Sequence, residues 1–338
     1  MKKNNISIAD IILALSEAGL PTELHEQYAN AIFAYLQNSN SNDDEDKTQP
    51  LSLSKIIERL VQDEPLEYIL GQGKFHGLVY KLTKDTLIPR TETEQLVDMA
   101  LDKIKSCLLE GKNVYIFEIG TGSGCISITL AHELADFTQQ QHAVSPTDEI
   151  VDYENDTADD TQPIIFRYSI VATEPHKATR EIALENLNMH AQNTPEAALE
   201  AKITIIDSDL LSNVALPTPL RSTDQIIFIA NLPYISTDDY EDLDSSVKDY
   251  EPRHALVGGQ HGHELYAKLF KQIDKYLRFA EFIDTTYEKF LHNNVSQFYE
   301  IDALHQELFA NALSDVFGLR PEIVPDVHER NRFLRITI

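Results

Sequence analysis

Residues 114–131, VYIFEIGTGSGCISITLA, decide the fold. Val114 to Ile119 is an apolar run broken only by Glu118, as expected of a strand buried on both faces. Gly120, Gly122 and Gly124 come next at every second position and lead into a helix-like run. Glycines at such a junction let the backbone turn tightly and approach a ligand with no Cβ in the way. The spacing is G-x-G-x-G, whereas the dinucleotide fingerprint is G-x-G-x-x-G, which disfavours a nicotinamide cofactor.

Working outward, the strand-like runs NVYIFEI (113–119), RYSIVAT (167–173), AKITIID (201–207) and QIIFIAN (225–231) alternate with helix-like ones. TETEQLVDMALDKIKSCLLE (91–110) and KATREIALENLNMHA (177–191) are examples of the latter. Alternation of this kind predicts an α/β fold, a mainly parallel sheet with helices on both faces. One stretch breaks the rhythm: residues 136–163 are acidic and contain no Lys or Arg, so they read as a solvated, mobile insertion.

Ahead of the sheet the texture is different. In NISIADIILALSEAGLP (5–21), Ser7 and Asp10 have capping-box spacing, and Gly19 with Pro21 marks a stop. Leu53, Ile56, Ile57 and Leu60 share one helical face behind Ser52, and the polar stretch 38–50 separates the two segments as a loop. Residues 1–72 therefore read as a small helical bundle. Residues 73–90, GKFHGLVYKLTKDTLIPR, read as a β-hairpin connector, and 91–338 as the sheet domain.

Bulk composition narrows the function. The 338 residues are 42% hydrophobic and 25% charged, with a formal charge of −27 that argues against a general DNA or RNA binder. Cys107 and Cys125 supply neither a disulfide framework nor a metal cluster. No apolar run reaches the length of a membrane span, and MKKNNISIAD lacks the apolar core of a signal peptide, so a cytoplasmic location is expected. His254, His261 and His263 flank glycines without a further ligand at metal-binding spacing, and are read as loop residues.

The ends of the strands carry the candidate site. Glu174 closes YSIVATE, where a carboxylate can accept hydrogen bonds from both hydroxyls of a ribose. Asp209 comes after ITIIDS, where it could meet an adenine amino group. The three features in this order imply adenosine held at the carboxyl edge of a parallel sheet. The fourth strand runs into Asn231-Leu232-Pro233-Tyr234. If the adenosine compound is S-adenosylmethionine, a planar amide or aryl NH2 is the acceptor that this tetrapeptide suits. Its lone pair is delocalised, so it needs orientation by acceptors on its N–H groups more than a strong base. The Asn231 side-chain oxygen and the Leu232 carbonyl can be those acceptors, Pro233 stiffens the turn, and Tyr234 offers a flat packing face.

With these residues in place, the sequence resembles the class I S-adenosylmethionine-dependent methyltransferases, and among them the family that methylates a glutamine of peptide chain release factors. Four stretches carry the resemblance: 65–98 with Pro89, Arg90, Glu92 and Glu94; FEIGTGSGCISITLA (117–131); NLPYI (231–235); and YEPRHALVGGQHGHELY (250–266) with Glu251, Pro252, Ala255, Leu256, Gly258, Gly259 and Gly262. The resemblance implies a Rossmann-like class I methyltransferase sheet behind an N-terminal helical bundle and a hairpin connector. It implies that Gly120, Thr121, Gly122, Ser123, Gly124, Glu174, Asp209, Leu210 and Asn231 bind the cofactor. It further implies that Asn231 to Tyr234 hold the glutamine amide and that the product is N5-methylglutamine in a Gly-Gly-Gln motif. Pro89, Arg90, Glu92 and Glu94, just ahead of the sheet, are read as substrate-binding residues that grip the peptide backbone or close over the cofactor, with a capped, charged helix start as the alternative. Leu232 replaces the family's first proline, and Glu118 and Glu174 stand where it usually has Asp. Asn-Leu-Pro-Tyr is also the form found in enzymes that methylate adenine N6, which is the rival reading. A catalytically inactive cofactor-binding subunit is another.

Overall fold

The computed structural model of the chain describes residues 6–39, 51–144 and 166–336. Four helices come first: α1 (Ile8–Glu17), α2 (His25–Ser39), α3 (Leu53–Leu60) and α4 (Leu66–Leu70). Ser7 and Asp10 form a reciprocal capping box at the start of α1, and Ser52 caps α3 by accepting from Lys55 N. Ile11, Leu15, Ala29, Ile32, Ile56 and Leu60 meet in a core belonging to these helices. Most of the polar loop read at 38–50 lies outside the described residues. The strands β1 (Gln72–Phe75) and β2 (Leu78–Lys81) then pair antiparallel, with Phe75 opposite Leu78. Phe75 and Tyr80 are buried in the core of the main sheet, which ties the hairpin to the sheet domain.

The remaining elements are α5 (Thr91–Leu109), β3 (Asn113–Ile119), α6 (Cys125–Val144), β4 (Arg167–Thr173), α7 (Lys177–Asn193), α8 (Leu199–Lys202), β5 (Ile203–Ile206) and β6 (Asp224–Ala230). After them come β7 (Ile235–Ser236), α9 (Ser245–Lys248), β8 (Val257–Gly259), α10 (Glu264–Phe279), α11 (Tyr287–Asn294), β9 (Val295–Glu300), α12 (Gln306–Phe317), β10 (Glu322–Pro325) and β11 (Asn331–Ile336). Seven strands make one sheet in the order β10-β11-β9-β6-β3-β4-β5. From β9 to β5 all pairings are parallel, while β11 lies antiparallel to β9 and β10 antiparallel to β11. This is a Rossmann-like α/β sheet.

Burial on both faces explains the unbroken apolar runs of β3 and β6. Val114, Ile116, Ile227 and Ile229 share one core with residues of α5 and α6. Phe117, Ile119, Ile226, Phe228 and Ala230 alternate to the other face, against α10 and α12. The chain lays β4 and β5 on one side of β3, then crosses to lay β6 and β9 on the other, so a crevice opens at the carboxyl end of β3. The register places Ile119 opposite both Thr173 and Ala230. Gly120, Glu174 and Asn231, each the next residue, therefore emerge side by side.

The reading of 136–163 as solvated insertion needs correction at its start. Helix α6 continues through residues 136–144, because Phe137 packs edge-on against Phe166 at 5.6 Å and lies under Lys105 Nζ at 5.7 Å. Residues 145–163 lie outside the described residues. Among the described residues no helix is long and apolar enough to cross a membrane.

Candidate active site

At the switch point of the sheet lies a cavity of about 350 Å³. Gly120, Thr121, Gly122 and Ser123 line it, with φ of +76° at Gly120 and +58° at Gly122, conformations that a side chain disfavours. Gly124 stands behind this wall, where a Cβ would come within 3.0 Å of Ile128 Cδ1. Glu174 reaches the cavity from β4; its Oε2 accepts from Gly122 N at 3.2 Å and its Oε1 from His176 N at 3.0 Å. Asp209 lines the same cavity but is exposed and paired with Lys268 Nζ at 2.5 Å. Leu210 beside it is buried with φ of +54°.

Glu118, near the end of β3, is a strongly perturbed carboxyl on the cavity wall. Burial pushes its carboxyl up to about 7, against hydrogen bonds from Ser127 and Thr121 that lower it. Its Oε2 accepts from Thr121 Oγ1 at 2.7 Å, Ser127 N at 3.1 Å and the Ser127 hydroxyl. Its Oε1 is buried with no hydrogen-bond partner among the described residues, and the residue lines the cavity. An unpartnered buried acceptor there suits a cationic or N–H group of a ligand. The His176 and His254 rings, both on the cavity wall, stack at 3.8 Å, and burial with His176 alongside lowers the His254 pKa. The His261 and His263 rings lie 6.3 Å apart and line neither this cavity nor the next.

A second cavity of about 260 Å³ lies across the tetrapeptide. Asn231, Leu232 and Pro233 line both cavities, and Tyr234 lines the second with Glu92, Glu300 and Arg332. Arg90 also lines both, and Pro89 lines the first. The Arg90 guanidinium donates to Glu251 Oε1 at 2.5 Å, while Glu251 Oε2 accepts from Ile88 N at 3.3 Å. Glu92 receives Arg330 Nη2 at 2.6 Å. Glu94 lines neither cavity: its carboxylate accepts from His76 N at 2.7 Å and so holds the turn of the hairpin.

The tetrapeptide is fixed from below and behind. Ile235 N donates to Leu256 O and Thr237 N to Gly259 O, both at 3.0 Å, joining β7 to β8. A Cβ at Gly258 would fall 2.3 Å from Pro233 O, and one at Gly262 would fall 2.2 Å from Tyr234 O. Those glycines let the stretch 257–262 press directly on the tetrapeptide backbone. Leu232 N donates to the Tyr266 hydroxyl at 2.9 Å, and the Leu232 side chain covers Gly120, where a Cβ would come within 2.8 Å of Leu232 Cδ2.

Four residues of this constellation do not stand out in the sequence. Thr93 Oγ1 accepts from Asn231 Nδ2 at 3.0 Å and donates to Glu300 Oε2 at 2.7 Å. The Tyr234 hydroxyl donates to Glu300 Oε1 at 3.2 Å and accepts from Arg332 Nη1 at 3.1 Å. Tyr266 donates to the Glu300 carbonyl. Glu300 ends β9 much as Glu174 succeeds β4, so the reasoning that selected Glu174 applies to it equally. Thr93 sits unnoticed between Glu92 and Glu94.

No protein-family model matches the chain. It is 30% identical over 271 residues to a release factor glutamine methyltransferase of Lactococcus lactis, covering 79% of this chain and 78% of that one. It is 27% identical over 288 residues to a Bacillus cereus protein of the same description, covering 85% and 81%. Among solved structures, a methyltransferase from Pyrococcus furiosus aligns over 82% of this chain and 95% of its own, at 12% identity and a TM-score of 0.41, too distant to bear on function.

Proposed function

The chain belongs to the family of release factor glutamine methyltransferases, and from that premise we propose that it transfers a methyl group from S-adenosylmethionine to the N5 amide of the glutamine in a release factor's Gly-Gly-Gln motif. The observation that carries this reading is the shared wall. Asn231 to Pro233 border two cavities at once, so a donor in one and an amide in the other meet on a single rigid segment.

The first cavity suits the cofactor. The unpartnered Glu118 Oε1 fits an ammonium group, Glu174 a ribose, and the His176–His254 stack with Leu210 a flat base. When bound, S-adenosylmethionine supplies a sulfonium methyl whose displacement forms the N–CH3 bond and returns an electron pair to sulfur. The residues of this chain orient the acceptor. Asn231 Oδ1 takes one N–H, the Leu232 carbonyl takes the other, and the Tyr234 ring packs on the amide plane. Tyr234 is no base here, because burial raises its pKa further above the ordinary phenol value, with Glu300 adding to the effect. The proton leaves after the methyl has arrived.

A protein acceptor is favoured over nucleic acid by the charges at the second cavity. Its two arginines are both engaged by carboxylates, Arg90 by Glu251 and Arg332 by Asp326 at 3.2 Å, so neither is poised for a phosphate. We assign the reaction to the cytoplasm, with a release factor as protein partner. The test offers labelled S-adenosylmethionine with a purified release factor and, separately, ribosomal RNA and DNA. Label on the release factor glutamine is expected, and label on adenine alone would overturn the reading.

A further inference from the structure

We propose that Thr93 and Glu300 are positioning residues whose hydrogen-bond polarity decides which end of the Asn231 amide faces the acceptor. The inference rests on the methyl-transfer reading of the tetrapeptide and adds a cause for its orientation. The two ends of an asparagine amide are nearly the same size, but one donates and the other accepts. Only the oxygen can hold an N–H of the substrate. A flipped Asn231 would present its own N–H groups and repel the acceptor.

The polarity is set from a distance. Glu300 is buried, and both its carboxylate oxygens accept: Oε2 from Thr93 Oγ1 at 2.7 Å and Oε1 from the Tyr234 hydroxyl at 3.2 Å. A hydroxyl has one proton. With that proton given to Glu300, the Thr93 oxygen can only accept, and Asn231 meets it with Nδ2 at 3.0 Å. Oδ1 is then the end left to the cavities that Asn231 lines. The same carboxylate works in the other direction. The Tyr234 oxygen, its proton also given away, accepts from Arg332 Nη1 at 3.1 Å, and Asp326 steadies Arg332 at 3.2 Å. One buried carboxylate thus sets both ends of the tetrapeptide, Asn231 through Thr93 and Tyr234 directly. Helix α5 supplies the hydroxyl and β9 the carboxylate, so the orientation is imposed by elements outside the tetrapeptide.

The experiment uses the full-length enzyme, a purified release factor and labelled S-adenosylmethionine. Thr93→Val keeps the volume and removes the hydroxyl. Thr93 also borders the first cavity, so the readout is kcat at saturating S-adenosylmethionine, which should fall about 10- to 100-fold. Thr93→Ser, which restores the hydroxyl, should restore turnover. Because Thr93 acts through Asn231, the double variant Asn231→Ala with Thr93→Val should be no slower than Asn231→Ala alone. Multiplying losses in the double variant, failure of Thr93→Ser to rescue, or a Thr93→Val kcat within about threefold of wild type would each overturn the proposal. Should Thr93→Val not fold, Glu300→Leu removes both acceptors that Thr93 and Tyr234 donate to, and wild-type turnover in that variant overturns the relay. If the wild type labels adenine instead of glutamine, the function reading fails alone. The same variants then read the relay on that NH2 acceptor.

Discussion

Replacing Gly258 by alanine tests whether the tetrapeptide must be held where it is. The φ of Gly258 lies outside the left-handed region, so the added methyl acts through contact alone. It would sit 2.2 Å from Gly262 O and 2.3 Å from Pro233 O, where ordinary contact begins at 3.4 Å. Both obstacles are backbone, and neither can swing aside as a side-chain end can. The Pro233 carbonyl must therefore retreat by about 1 Å, carrying Leu232 and Asn231 with it, and a displacement of that size at a reacting centre is worth about 100-fold in rate. Overpacking should lower stability by about 1–3 kcal/mol. The assay is kcat at saturating S-adenosylmethionine and release factor, beside a thermal melt and a calorimetric cofactor affinity. Gly77→Ala is the control: its φ of +77° brings strain, but the methyl meets nothing within 4 Å and the residue lies on the hairpin turn, so it should melt lower and turn over normally. A folded Gly258→Ala enzyme with wild-type kcat would refute the reasoning.

Glu118→Gln should separate stability from binding. Burial raises the Glu118 pKa to about 7, so ionising it in the folded protein is unfavourable, and the handicap grows as pH rises from the carboxylate range to about 7. The variant should melt above wild type near pH 8, lose that advantage near pH 5, and bind S-adenosylmethionine more weakly; equal melts at both pH values would count against it. His190 Nε2 donates to Val79 O at 3.0 Å, so in the neutral pair its Nδ1 accepts from His132 Nε2 at 3.3 Å. Burial lowers both pKa values, which means that stability is lost as pH falls from about 6.5 through the lowered values; His190→Gln should flatten that acid limb of the melting curve. Arg90→Ala leaves the buried Glu251 carboxylate without its guanidinium. It should cost about 2 kcal/mol in a denaturant titration, at the low side for a broken buried pair because Arg90 keeps part of its surface in water.

The sheet was legible because its strands are buried on both faces and therefore read as apolar runs, and because glycines at 120, 122 and 124 mark the turn out of β3. The place of Asn231 to Tyr234 at a strand end was legible because the apolar run of β6 stops there, after a glycine loop and two strand-end acids in the same chain. Thr93 and Glu300 were not. A threonine in the first turn of a helix and a glutamate at a strand end are ordinary one at a time, and only the fold brings them to 2.7 Å across 207 positions of sequence. The contact of Glu94 with the hairpin was hidden for the same reason, since its alternate position on α5 gives no sign that it reaches His76 N. The start of 136–163 is misleading in composition: glutamines and acids outnumber Phe137, yet that one ring finds Phe166 and extends the helix.

The shared wall between the two cavities has a consequence for inhibition. Under the proposed assignment of the two cavities, one compound could carry an adenosine group for the larger space and a glutamine-like amide for the smaller, joined through the line along which the methyl would pass. Once its first half is seated, the second faces its own site at an effective concentration of about millimolar, with no further loss of overall translation and rotation. The linker need be only as long as a bond being made and broken. Such a molecule would draw its selectivity from the pairing, since a site must offer both spaces on one wall to seat both halves at once.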